Sequence, residues 1–138
     1  MIKKPNDQEY LEYDGGNCSV IWKSLDDNWK CPSCKRTKRE VMRWGKRKQS
    51  GRTFEGWIAG FHKHHDHSGH KRFSKTIICA LCNSADGNAK AKLGLPANFS
   101  FSPEDIGLFV TPTPYGKHKI DFEKAKNIYD KLQQPELL

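Results

Sequence analysis

Apolar residues are in short supply. They make up 36% of the 138 residues, and mean hydropathy is well below zero. The longest apolar run lies in the stretch from Ile77 to Cys82, far short of the roughly 20 residues that a membrane-spanning helix needs. The opening Met1-Ile2-Lys3-Lys4-Pro5 lacks the apolar centre of a secretory signal, so the chain reads as soluble and cytoplasmic with no membrane partner. No segment repeats. So lean a composition supports only a modest core, a setting in which a bound metal contributes much of the folding energy.

Acidic residues are also sparse, and in the first part of the chain they are well outnumbered by bases. Residues 1–83 carry 17 Lys/Arg against 9 Asp/Glu, whereas residues 84–138 carry seven of each, so the formal charge of +8 belongs to the first part. The bases are densest at Lys35, Arg36, Lys38 and Arg39, and continue through Arg43, Lys46, Arg47, Lys48 and Arg52, with Trp44 and Phe54 interleaved. Such a field attracts polyanions, and phosphate contacts dominate nucleic-acid affinity. These nine bases are therefore the candidate DNA contacts. A solvated basic face is the plainer alternative.

Five cysteines remain, an odd number that argues against a disulfide framework. Four form two pairs, Cys31-Pro-Ser-Cys34 and Cys79-Ala-Leu-Cys82, and Cys18 stands apart. Two C-x-x-C knuckles supply four thiolates, the set that tetrahedral zinc prefers. The stretch between the pairs is much longer than in a plain zinc ribbon, so the metal would clip the base of a long excursion. A redox pair is disfavoured because no βαβ pattern surrounds either knuckle. A histidine replacing one cysteine is the other ligand set left open.

The excursion reads as β-structure. Glu40 to Trp44 and Thr53 to Phe61 are rich in strand formers, with Gly45 to Gly51 as the turn between them. The second strand leads into His62-Lys63-His64-His65-Asp66-His67-Ser68-Gly69-His70, and Phe73 to Cys79 reads as a return strand. A helix is expected to start at Asn83-Ser84-Ala85-Asp86 and stop at Gly94. Residues 1–27 look like a loosely ordered lead-in, 28–95 like the stapled domain and 96–138 like a helical extension. In that extension Ser102-Pro103 starts one helix, Thr111 to Gly116 is an extended linker, and Asp121 starts another helix. The last helix carries a stripe of Phe122, Ala125, Ile128, Tyr129 and Leu132, a docking face. The fold class is thus α+β.

Hydrolysis of a phosphodiester requires a base to activate water and a cation to stabilise the leaving oxygen. Adjacent histidines on a strand point to opposite faces, so His64 and His65 can divide those tasks. Asn83 offers a neutral oxygen ligand. A strand ending in His62-Lys63-His64-His65-Asp66-His67, a Ser-Gly turn, a return strand and then Cys79-Ala80-Leu81-Cys82-Asn83 resembles the HNH (ββα-metal) nucleases. Within them it is most similar to the recombination endonuclease VII group. The resemblance spans residues 28–93 and implies a small ββα-metal core stapled by a zinc on four cysteines. It implies His65 as general base, His64 and Asn83 as ligands of a catalytic magnesium or manganese ion, and His67 as a supporting residue. Cys31, Cys34, Cys79 and Cys82 would hold the structural zinc. That group carries Asp where this chain has His64. A second register, with Asp66 as the ligand and His67 as the base, stays open. A helix residue for the family's third position is not evident; Asp86 and Asn88 are the nearest candidates.

Two other functions fit the composition. One is a non-catalytic zinc module that binds nucleic acid through Lys35 to Arg52. The other is an adaptor that uses the last helix. The sequence leaves a homodimer open.

Overall fold

A computed structural model describes residues 1–66 and 72–134. The fold is α+β, with three small antiparallel strand pairs, a four-cysteine cluster and C-terminal helices. His67, expected to support the site, lies outside the described residues.

The lead-in is more ordered than its polarity suggests. Asn6 and Glu9 form a reciprocal cap on α1 (Asp7–Glu12), and α2 (Ser19–Ser24) follows a short 3-10 turn. Trp22 of α2 is buried among Tyr10, Tyr13 and Phe61, with Tyr13 edge-on at 4.8 Å between ring centroids. A few aromatics thus dock this segment without a long apolar pattern.

The hairpin is displaced from its expected position. Glu40 belongs to a short helix, α3 (Lys38–Val41), capped by Thr37. The basic stretch is itself a strand: β1 (Arg43–Gln49) pairs with β2 (Arg52–Ile58), joined at Ser50-Gly51. Both joining residues have positive φ, 53° and 76°, the two-residue turn whose twist suits a hairpin. Most of both strands is solvent-exposed, so no apolar alternation marked them.

A kink at Ala59-Gly60 separates β2 from β3 (Phe61–His64). A Cβ on Gly60 would lie 2.8 Å from the Ala80 Cβ, so only glycine allows this approach. β3 pairs with β4 (Thr76–Cys79), Phe61 opposite Cys79 and His64 opposite Thr76. The return strand is shorter than expected. α4 (Ala80–Leu93) begins three residues before Asn83, because the second knuckle is itself its first turn. Asn83 is therefore inside the helix rather than its cap. Gly94, in the left-handed conformation, ends α4 as expected.

α5 (Pro103–Phe109) is capped by Ser102 and α6 (Phe122–Leu132) by Asp121. The stretch expected to be a linker, Thr111 to Gly116, enters from β5 (Val110–Thr111) and forms most of the loop of a small hairpin that β5 makes with β6 (Lys119–Ile120). α6 packs on α4 and α5, with Ala125 buried and Phe122, Ile128 and Tyr129 against the core. Most of the expected docking stripe is thus occupied within the chain. Phe101, Ile106, Phe109, Met42 and Ile78 are fully buried and join the C-terminal helices to the knuckles.

Candidate metal centre and histidine cleft

Four sulfurs converge where the two knuckles meet. All lie within 4.8 Å of one another, with Cys31 to Cys82 at 3.9 Å and Cys34 to Cys79 at 3.8 Å. These separations are too long for disulfides. A tetrahedron with zinc–sulfur bonds of about 2.3 Å places its sulfurs about 3.8 Å apart, so the cluster can hold a structural metal such as zinc. The first knuckle turns through a left-handed Lys35 (φ 66°), and the Cys79 amide donates to Cys31 Sγ at 3.4 Å. Hydrogen bonds from Cys31, Cys79 and Cys82 hold the Cys34 thiol far below the usual thiol range. Bonds to Cys31 and Cys34, together with burial, push Cys79 and Cys82 up. A bound metal would convert all four to thiolates. Cys18 is half-buried with its sulfur toward the Phe61 carbonyl, away from the cluster.

Sequence reasoning missed two groups around this cluster. Arg36 is 3% exposed, and its guanidinium contacts Cys34 Sγ at 3.3 Å and Cys79 Sγ at 3.2 Å. Its other end donates to the carbonyls of Thr113 and Gly116 at 3.3 and 3.2 Å. Burial opposes the charge of Arg36, but the sulfurs of Cys79 and Cys34 outweigh this and raise its pKa. A permanently charged buried group requires an anionic counterpart, and a metal carrying four thiolates supplies one. His118, outside the histidine cluster, brings Nε2 to 3.3 Å from Cys82 Sγ and 3.8 Å from Cys79 Sγ, and its Nδ1 is buried without a partner. Four sulfurs already make up a full ligand set, so His118, with Nε2 protonated, would serve as an N–H···S donor rather than a replacement ligand.

The expected DNA contacts therefore need correction. Arg36 is spent on the cluster. Lys38 is 8% exposed, donates to the Leu25 carbonyl at 2.9 Å and sits over the Trp22 ring; burial lowers its pKa. Arg39 pairs with Asp7 at 2.7 Å and donates to the Pro5 carbonyl, tying down the lead-in. The buried Arg36 and Lys38 side chains cannot meet a phosphate, and Arg39, though partly exposed, is already paired. Lys46, Lys48 and Arg52 are exposed on the hairpin, Arg47 lies over Phe54, Arg43 is at the root, and Lys35 is exposed beside Pro32.

At the other end of β3, His64 is 3% exposed, stacked on Phe73 with ring centroids 5.1 Å apart, and its Nε2 lies 2.7 Å from the Phe101 carbonyl. A carbonyl only accepts, so Nε2 carries the proton and Nδ1 the lone pair. Asp86 accepts from the Phe101 amide at 2.8 Å and pairs with Lys90 at 3.2 Å. Asp86 is thus engaged in joining α4 to the C-terminal segment. Asp66 accepts from the Arg72 amide at 3.1 Å, and its carboxylate, 1% exposed, faces the Arg72 guanidinium at 3.7 Å.

His65 opens onto a cleft of about 420 Å³, lined also by Asp66, Phe73, Ser74 and Lys75. Its Nδ1 lies 3.3 Å from the Lys63 carbonyl. α4, which carries Asn83 in its first turn, packs on both β3 and β4. One strand–strand–helix unit thus holds His64, His65 and Asn83, with the cysteine cluster at the β4–α4 junction. No family model, curated protein or solved structure matches the chain.

Arg36→Met should retain the metal but weaken its hold by about 10–100-fold, the usual effect of losing a hydrogen-bond partner of a metal ligand. Competition with a chromophoric chelator would measure this, and hydrogen exchange should rise at residues 113–117. Unchanged affinity and exchange would mean that Arg36 only fills space.

Proposed function

We propose that this chain is an HNH-type endonuclease that hydrolyses phosphodiester bonds in DNA, with a structural zinc on its four-cysteine cluster. The observation carrying this reading is His65, set at the end of β3 over an open cleft, in a strand–strand–helix unit whose helix begins at the cluster. With Nδ1 donating to the Lys63 carbonyl 3.3 Å away, Nε2 would be the basic nitrogen. At that atom His65 takes the proton from an attacking water. Lys75, on the rim of the same cleft, is placed to draw in the phosphate. His64 Nδ1 and Asn83 are the groups that would hold a divalent ion, which when bound stabilises the developing charge on the leaving 3′ oxygen. The nearby carboxylates of Asp66 and Asp86 are already paired. An imidazole nitrogen with a neutral amide oxygen suits a transition metal better than magnesium, which prefers an all-oxygen shell.

Incubating the zinc-loaded chain with supercoiled plasmid across a series of ions tests this. Nicking should require an added divalent ion and be faster with manganese or nickel than with magnesium. Cutting equally fast without any added ion would remove the metal from the mechanism.

A second reading is favoured by one observation: His64 is buried and bonded like a packing residue. In that case the chain is a non-catalytic zinc module that binds nucleic acid through the hairpin.

A further inference from the structure

A separate cleft lies at the root of the β1–β2 hairpin, away from His65. Its volume is about 350 Å³, and Lys3, Arg43, Trp44, Tyr115 and Lys117 are among its walls. Among the described residues that line it, three side chains are cationic and none is a carboxylate. The Lys3 ammonium sits 3.4 Å above the Trp44 ring centre, an arrangement that holds a flexible cation in place.

The opposite wall is built to be where it is. Tyr115 has a left-handed backbone, φ 62°, which non-glycine residues seldom adopt and which tends to mark functional positions. Its amide donates to the Glu40 carbonyl at 2.8 Å. Arg36 grips the carbonyls of Thr113 and Gly116 on either side, so the cysteine cluster positions the loop that presents Tyr115 and Lys117. Trp44, Lys46 and Lys48 share one hairpin face, stepping about 6.6 Å per pair of residues. The cations of the cleft therefore continue along the hairpin. Glu55, the one acid on β2, lies opposite Lys46 on this face and accepts from Trp44 Nε1 at 2.9 Å.

We propose that this cleft is a phosphodiester-binding site that grips the backbone of bound DNA: Lys3, Arg43 and Lys117 contact phosphates, and Trp44 and Tyr115 flank the sugars. It rests on the reading of DNA as ligand, but not on cleavage at His65. Its role is to hold the substrate at a distance from the cleft where the bond breaks, with Lys46 and Lys48 extending the track.

The test is fluorescence anisotropy of a short labelled DNA duplex with the zinc-loaded full chain, without added divalent ion, across a range of salt concentrations. Lys3→Gln with Lys117→Gln should weaken binding and reduce the slope of log affinity against log salt by about 2, close to one unit for each phosphate no longer neutralised. Lys124→Gln with Lys131→Gln, the same charge change on exposed α6 positions, should leave the slope unchanged. An unaltered slope in the cleft variant, or an equal fall in the α6 variant, overturns the site. A chain that cuts no plasmid but keeps this dependence on Lys3 and Lys117 loses the nuclease reading and retains the cleft. A chain that cuts normally with the slope unaltered does the reverse.

Discussion

His65→Ala is expected to slow plasmid nicking by about 10²–10⁴-fold, the usual contribution of a positioned general base. Zinc content and duplex affinity should stay as in the parent chain. His65 is partly exposed and lines a cleft, so its removal should not disturb the core. His64 is a poorer probe. Its ring is buried and bonds the Phe101 carbonyl, so His64→Ala would combine any loss of metal with a packing defect. If His65→Ala nicks at the parental rate while His67→Ala is inert, the base belongs at His67 and the register shifts with it. If neither change slows nicking, the histidine cleft is not where the bond breaks.

The second large effect is on folding. Cys79→Ser, or stripping the metal with a chelator, should abolish the cooperative thermal transition. Structural zinc contributes about 10–16 kcal/mol in small Cys/His domains, as much as the whole stability of a typical domain at about 5–15 kcal/mol. The core here depends on the cluster: Cys31, Cys34, Cys79 and Cys82 are buried, and Arg36 would be left as an unpaired buried cation. Acid should act in the same direction, because protons compete with the metal for thiolates. Elemental analysis of the dialysed protein should find one zinc per chain. A metal-free chain that melts cooperatively at the parental temperature would contradict the role of the cluster.

The sequence carried some features further than others. The knuckles were legible because metal geometry constrains spacing, and the three-dimensional cluster uses those four cysteines. The stops and starts at Gly94, Ser102 and Asp121 were legible because caps are local chemistry. The hairpin register was not. Its strands are exposed, so no apolar alternation marks them, and the Ser50-Gly51 turn decides the pairing. The fate of individual bases was also hidden. Arg36, Lys38 and Arg39 stand in one basic run, yet all three are engaged by partners distant in sequence, Thr113, Leu25 and Asp7, the first two from buried positions and Arg39 at the surface. His118 carried no signal beyond being the lone histidine outside the cluster. The order of the lead-in depends on Trp22 meeting Phe61, a pairing no local pattern announces.

The measurement that bears most directly on the nuclease reading is the chemistry of the cut ends. Supercoiled plasmid incubated with the zinc-loaded chain and manganese should yield nicked circles that DNA ligase reseals without further treatment, because attack at phosphorus with departure of the 3′ oxygen leaves a 5′ phosphate and a 3′ hydroxyl. Plasmid that stays supercoiled with every divalent ion, although the protein binds it, would contradict that reading, as would nicks that ligase cannot seal until a 3′ phosphate is removed.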